Sequence, residues 1–417
     1  MAYRGETSAF KEMLEELEQF AVDVILERRH GLKAMLLRAL LWLLSGLFRF
    51  GVWLRHLLYH HRIFLREHNL GCLVISIGNL TVGGTGKTPV VELLARALFT
   101  RGRQVAILSR GYKSERRKVK KPSLWLRMAA RITAREAPPD PPPRVVSDGR
   151  TVLLNSKQAG DEPFMLAKNL PGVSVVVDKN RVKGGLHAIR EFGADTLLLD
   201  DGLQYLRLRH RLDLVLVDRT APFGNEYLLP RGTLREPRRH LKRASYIFIT
   251  KCDGTSNDEL IRRLRRYNQV AEIIECNHHP RHLVNAVTHQ KKPLDFLRGK
   301  YVATISGIAV PEGFEEALRQ LGATVDLTRR FTDHHRYSEN EIYNFVEQCE
   351  RRDVEMIVTT EKDFVRFPPL PYTDVPVYYL RVQIQILSGH DAWERLVDRV
   401  CHRAMPLPTE APATATI

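Results

Sequence analysis

From about residue 72 to residue 290, short apolar, β-branched runs alternate with longer stretches whose apolar positions recur at helical spacing. The runs at 73–77, 105–109, 174–177, 196–199, 212–217 and 246–250 predict strands. Their continuous apolar character and helix-length separations indicate a mostly parallel sheet with helices on both faces. Segments 90–98 and 163–168 read as two of those helices. A second α/β unit begins near Lys300, where 301–305 and 354–359 predict strands and 312–321 a helix between them. Ligands of such folds sit outside the carboxyl ends of the strands, and the polar signatures of this chain fall there.

The richest apolar stretch precedes the sheet. Residues 31–65 are dense in Leu, Phe and Trp but are broken by Arg38, Arg49 and Arg55, so they lack the roughly 18 uncharged residues expected of a spanning helix. On a helix advancing about 100° per residue, Arg38, Ser45, Arg49 and His56 share one narrow stripe. Apolar residues, Trp42 and Trp53 among them, cover most of the rest. This predicts a helix lying in a membrane interface with its arginines reaching lipid phosphates; the alternative is a helix packed into the protein's own core.

The organisation expected is an N-terminal helical, membrane-associating segment over 1–68, a large α/β domain over 69–295, a smaller one over 296–405 and a disordered tail over 406–417. Within the large domain, 113–144 opens on a cationic run and closes on a proline cluster that cannot enter a sheet or helix interior. It reads as a solvated insertion or a second membrane contact.

Composition narrows the partners. A chain of 417 residues accommodates two domains with sizeable cores. Its net charge of +16 points to an anionic partner: nucleic acid, acidic lipid or a phosphorylated substrate. The five cysteines are scattered, which argues against a disulfide framework or a zinc site and fits a reducing cytoplasm. Residues 1–20 are acidic and polar, unlike a signal peptide.

The chemistry begins where the first predicted strand runs into Thr81-Val82-Gly83-Gly84-Thr85-Gly86-Lys87-Thr88. Strand, glycine loop and helix start are the parts of a P-loop. Its backbone N–H groups cradle phosphate, Lys87 reaches the β/γ-phosphates and Thr88 coordinates Mg²⁺. Thr81 stands where the usual pattern has Gly. Asp200-Asp201-Gly202 closes an apolar strand with two carboxylates, the place where P-loop proteins hold Mg²⁺ or its water. Asp161, in Gly160-Asp-Glu-Pro163, reads as an ordinary capped helix start. The run 331–337 gathers Asp333, His334 and His335, either a proton-transfer site or a surface loop. Thr250-Lys251-Cys252-Asp253 is similar to the base-reading element of GTPases and supports a rival reading, a G-protein-like switch or chaperone at a membrane.

Taken in order, Ile77–Thr88 and the stretches 109–112, 160–163, 199–204, 228–237, 331–335 and 359–363 resemble the tetraacyldisaccharide 4'-kinase family, the lipid A 4'-kinases of Gram-negative bacteria. The likeness spans roughly 32–402 and absorbs Thr81, because that family's loop has Asn-Leu-[Ser/Thr]-Val-Gly-Gly there. It implies a P-loop NTPase-like, mostly parallel sheet domain, a smaller Rossmann-like α/β domain and an N-terminal amphipathic helix, with a cleft between the domains. It also implies ATP and Mg²⁺, and a lipid A disaccharide precursor as acceptor. Its setting is the cytoplasmic face of the bacterial inner membrane, peripheral or monotopic, with neither nucleic acid nor an obligatory protein partner. Carried over residue by residue, Lys87 and Thr88 hold phosphates and Mg²⁺, Asp200 and Asp201 resemble the metal-site acids, and Asp161 resembles the catalytic base with His334 its partner. Gln204 and Glu236 look like active-site polar residues. The chain departs from the family pattern at Leu203, Tyr205 and Arg231, and in the length of the 113–144 insertion.

Overall fold

The structure, a computed structural model, describes residues 16–17, 19–112, 114–115, 141–370 and 372–401. Most of the expected insertion, the tail over 406–417 and nearly all of the acidic N-terminal stretch lie outside the described residues.

Each strand predicted from the sequence forms, with ends shifted by at most a residue or two. They are β1 (Leu73–Asn79), β2 (Val105–Ser109), β4 (Ser174–Val177), β5 (Thr196–Asp200), β6 (Leu212–Asp218), β7 (Tyr246–Thr250), β10 (Tyr301–Ser306) and β12 (Met356–Thr360). Strands β3 (Arg144–Asp148), β8 (Glu272–Asn285), β9 (Lys291–Lys292), β11 (Thr324–Arg330) and β13 (Val377–Ser388) carry no such apolar run. In β11 half-buried and exposed residues alternate, as befits an edge strand with one covered face, so its sequence offers no continuous apolar signal.

The thirteen strands among the described residues belong to one sheet, in the order β11-β10-β12-β13-β8-β7-β6-β1-β5-β2-β4-β3, with β9 beside β8. The register of the central parallel strands matters for chemistry. Ile77 of β1 lies opposite Asp200 of β5, so the glycine loop after β1 and the acids after β5 leave the sheet together.

The two halves are joined by the long antiparallel pair β8–β13. Strand β8 starts parallel to β7 and β13 starts parallel to β12, and each then runs past the other from Tyr378 opposite Asn285 to Ser388 opposite Glu275. Beyond this seam the helix His390–Cys401 packs back on the first half, burying Trp393, Leu396, Val397 and Val400 with Leu94 and Leu98. The chain was expected to stay in the smaller unit up to 405; its last helix instead completes the core of the larger one. That helix's apolar stripe specifies burial, but nothing local specifies against which neighbour.

A buried polar network crosses the same seam. Arg381 of β13 bonds Glu92 on the helix Lys87–Thr100 and, at 2.5 Å, Glu361 after β12. Asn169 Nδ2 donates to Glu361 Oε1 at 2.8 Å.

The N-terminal helix Leu32–His60 lies against the large unit with Ala34, Ser45 and Val52 buried. Ser45 Oγ donates to Leu228 O at 2.8 Å, Arg38 bonds the carbonyls of Val24 and Arg29, and Arg55 and His56 reach Glu236. Most of the polar stripe therefore faces the protein, which corrects, for Arg38, the expectation that the stripe's arginines point to lipid. Among the stripe's polar residues, Arg49 alone is exposed. A polar side chain on an otherwise apolar helix gains most where carbonyls and a carboxylate await it. Leu36, Leu40, Trp42, Leu43, Leu47, Phe50 and Trp53 face outward instead.

Replacing Arg381 with Met leaves buried Glu361 without its cation and Glu92 with the half-exposed Arg96 alone. The expected loss is about 3–5 kcal/mol of unfolding free energy, measured by urea denaturation. A loss below about 1 kcal/mol, the range of exposed pairs, would show that solvent screens the network.

Candidate active site

The phosphate loop is built by a strand that ends and a helix that begins within eight residues. Gly86 caps the helix Lys87–Thr100 at φ 78°, a left-handed conformation, and a Cβ there would meet the His278 ring at 2.5 Å. The loop is tied from outside: Val82 N donates to Thr233 O at 2.7 Å and Thr250 Oγ1 to Thr85 O at 3.0 Å. Thr81 is buried, accepting from Asn79 Nδ2, whereas Val82, Gly83 and Gly84 are open to solvent. Lys87 Nζ donates to Asn79 Oδ1 at 3.3 Å and stands 3.8 Å from Asp201.

The two aspartates after β5 have opposite surroundings. Asp200 is buried and accepts from Ser109 Oγ at 3.3 Å. Burial, then the charges of Glu162 and Asp201, push its carboxyl up to about 7 against the pull of Lys87 and Arg181. At Asp201 the chain turns through φ 54°, and Arg235 grips both carboxylate oxygens at 2.8 and 2.9 Å. Burial disfavours the charge of Asp201, but that grip and the charges of Lys87 and Arg235 hold it below the usual carboxylate range. Arg235 also bonds Asn79 O at 2.9 Å, and Gln204 Nε2 donates to the same carbonyl at 3.0 Å. Arg235 and Glu162 are thus part of the site although neither was singled out from the sequence. Each adjoins a residue that was, and their reach was invisible without the fold.

Glu236 points elsewhere. Its carboxylate, fully buried, is ringed by Arg55 at 2.8 Å, His240 at 2.9 Å, Arg243 at 3.3 Å and His56 at 3.4 Å. Burial opposes its charge, but the hydrogen bonds from His240 and His56 and the Arg243 charge hold the carboxyl well below its ordinary range. Expected as an active-site residue, it fastens the N-terminal helix to the large unit. His56, Glu236 and His240 could present three ligand atoms to a metal, yet two guanidiniums already compensate the one carboxylate. A further cation would be repelled. Tyr205 turns to Asn180 Oδ1 at 3.3 Å, under the Arg181 guanidinium.

The helix Asp161–Asn169 starts two residues earlier than its apolar pattern suggests, with Gly160 as its cap at φ 94°. Asp161 is the first helical residue rather than the cap, and its carboxylate turns away from its own helix. It meets the second unit: His334 Nδ1 at 3.2 Å, Arg336 Nη2 at 3.3 Å and Arg366 Nε at 3.5 Å. His334 holds a left-handed backbone, φ 66°, in the loop after β11, a strain of order 1–3 kcal/mol that the surrounding contacts sustain. Its neighbour His335 stacks on Phe331 and pairs with Glu341 at 3.2 Å, away from Asp161. Of the two histidines only one reaches the acid.

The GTPase-like element is otherwise engaged. Asp253 accepts from Arg219 at 2.8 Å and from Thr255, and Lys251 pairs with Asp218 at 2.6 Å.

Comparison with known proteins points to one family. The family described as Tetraacyldisaccharide-1-P 4'-kinase matches residues 37–126 and 137–402. The chain is similar to a tetraacyldisaccharide 4'-kinase of Anaeromyxobacter sp. (strain K), 39% identical over 92% of this chain and 96% of the relative. Its likeness to one from Syntrophus aciditrophicus is 35% over 86% of this chain and 91% of that one. Among solved structures, the "apo" form of LpxK from Aquifex aeolicus in complex with ATP is 28% identical with a TM-score of 0.66, over 88% of this chain and all of that one.

An ordinary Asp ionises near 3.9, so between about pH 4 and 7 the native protein keeps a proton on Asp200 that the unfolded chain has released. Stability of the ligand-free protein should therefore fall as pH rises through that window. Asp200→Asn should flatten the fall and raise the midpoint at pH 8 by at least about 2 °C. Thermal melts of both proteins from pH 5 to 8 check it; an unchanged slope in the variant would place the effect on another group.

Proposed function

The chain belongs to the tetraacyldisaccharide-1-P 4'-kinase family, and on that footing we propose how its residues carry out the transfer. The enzyme is a phosphotransferase of lipid A biosynthesis that phosphorylates the 4' position of a tetraacyldisaccharide 1-phosphate. ATP is the donor, a reading supported by the relative solved with ATP.

In this reading the backbone from Thr81 to Gly86 receives the phosphates at the helix start. Lys87, poised between Asn79 and Asp201, leaves those partners for the β/γ-phosphate oxygens. The oxygen donors at the end of β5 suit Mg²⁺: Asp200 is buried beside two other acids, a concentration of negative charge that a divalent cation offsets. Asp200, Asp201 and Thr88 would hold it, and when bound it neutralises charge developing on the transferring phosphoryl group.

Asp161 takes the proton of the 4'-hydroxyl as that oxygen bonds to the γ-phosphorus and the bond to ADP breaks. Arg336, Arg366 and His334 aim its carboxylate. The observation that carries the reading is the Asp161–His334 contact, made by elements 173 residues apart in sequence. His334 follows the carboxyl end of β11 as the phosphate loop follows that of β1, in strands that run in opposite directions across the β8–β13 seam. Phosphoryl transfer demands mainly positioning and charge neutralisation, and a site closed from both units supplies positioning.

The outward face of the N-terminal helix supports attachment to a membrane, where an acylated acceptor resides. By length and mean hydropathy alone the helix could cross a bilayer despite the arginines that interrupt it, and 11% of its most apolar stretch is covered by the protein. We place the enzyme on the cytoplasmic face of the inner membrane, with the body of the protein fastened to the helix through Glu236 and Ser45.

Incubation with labelled ATP and a tetraacyl disaccharide 1-phosphate should give labelled lipid; unlabelled lipid would overturn the reading. Asp161→Ala and His334→Ala should each lower kcat by roughly 10²-fold or more with KM for ATP little changed. The double variant should be little worse than the poorer single one. Losses that multiply would show two residues acting independently.

Replacing Leu36, Leu43 and Leu47 together with Ser leaves the buried stripe intact. It should lower co-sedimentation with phospholipid vesicles at least about fivefold, given the apolar area withdrawn from lipid. Full sedimentation of the variant would relocate the membrane contact.

A further inference from the structure

We propose that Lys362 is a positioning residue that selects the tautomer of His334, keeping the imidazole neutral with its proton on Nδ1. The proposal rests on the reading of Asp161 and His334 as the proton-accepting pair.

The argument begins with what surrounds the ring. Asp161 faces Nδ1 at 3.2 Å. On the other side, Nε2 stands 3.4 Å from Lys362 Nζ and 3.8 Å from Asp333 Oδ2. Arg336 and Arg366 approach the ring's partner Asp161 rather than the ring, and Tyr112 lies edge-on at 5.9 Å between centroids. His334 is therefore flanked by two carboxylates, with one ammonium interposed on the Nε2 side. Lys362 Nζ also bonds Asp333 Oδ1 at 3.1 Å, so the lysine is held in that position by the loop carrying the histidine.

An ammonium has only hydrogens to give. Its contact with Nε2 requires that nitrogen to accept, and a neutral imidazole accepting at Nε2 carries its proton on Nδ1. That proton is the one donated to Asp161. An imidazolium would instead set an N–H against the ammonium at the same 3.4 Å. Remove the lysine and the balance reverses. Asp333 is left facing Nε2, and a histidine between two carboxylates is stabilised as the doubly protonated cation. Asp161 would then be paired with a full positive charge and would attract the substrate proton less strongly.

Lys362 belongs to the four-residue helix Glu361–Phe364 directly after β12. The adjacent Glu361 is the residue Arg381 binds across the seam. Its side chain is about a quarter exposed, 27%, so its removal does not open a cavity in the core.

The test uses the full-length protein in detergent micelles, labelled with ¹⁵N-histidine, with the His334 signals identified by their loss in His334→Gln. Long-range proton–nitrogen correlation distinguishes protonated from bare ring nitrogens. Near pH 7.5 the wild type should show Nδ1 protonated and Nε2 bare. Lys362→Met should show both protonated and lower kcat by about tenfold or more, with KM for ATP within about twofold. Lys362→Arg, which keeps a donor, should restore the wild-type pattern and most of kcat. A protonated Nε2 in the wild type, or the wild-type pattern unchanged in Lys362→Met, would overturn the proposal. So would full kcat in Lys362→Met. A wild-type rate in His334→Ala would sink the underlying pair while leaving the nitrogen spectrum as an independent result.

Discussion

The pairing of β8 with β13 is the constraint on which the site depends. Both halves of the chain carry their polar residues at the carboxyl ends of parallel strands, but that alone would leave two unrelated clusters. The antiparallel seam fuses the two sheets into one, and the loop after β11 then faces the helix that starts at Asp161. Arg381 reinforces the join at its most critical place, bonding the phosphate-loop helix through Glu92 and the segment after β12 through Glu361. Phosphate loop, acid and histidine are thus held by a common set of buried bonds.

Charge is distributed with evident economy across this frame. Asp201 is gripped by Arg235, Asp161 is approached by Arg336 and Arg366, and Glu236 is ringed by Arg55 and Arg243. Each of these carboxylates has a guanidinium neighbour that favours its charged form. Asp200 differs: among the described residues no guanidinium bonds its carboxylate, which accepts from Ser109 and is crowded by Glu162 and Asp201 against the pull of Lys87 and Arg181. Asp200, whose charge the protein leaves poorly compensated, lies at the end of the strand beside β1, where an incoming cation and its triphosphate would compensate it.

The N-terminal helix divides its two faces by the same logic. Ser45, Arg55 and His56 find carbonyl and carboxylate partners in the large unit, and the leucines and tryptophans are left outward. A wide apolar surface that no part of the described protein covers is costly in water and favourable against lipid. The Glu236 cluster makes that helix part of the catalytic body rather than a detachable tether.

Much of this was legible in the sequence. Apolar runs located the parallel strands, and the order of the glycine loop, the Asp-Asp turn and the histidine run identified the family. These are local signals, set by residues a few positions apart whose periodicity and turn chemistry do not depend on distant partners. The sequence could not show that the apolar helix turns its polar stripe inward, or that Glu236 serves the helix while Arg235 serves the phosphate loop. Nor could it choose between His334 and His335 without the family pattern, or assign the last helix to the first core. The same holds for the charge of Asp200, which is set first by burial and then by a Glu162 nearly forty positions away. Long-range pairing decides all of these, because a side chain's hydrogen-bond partner and dielectric surroundings are properties of whatever the fold packs against it.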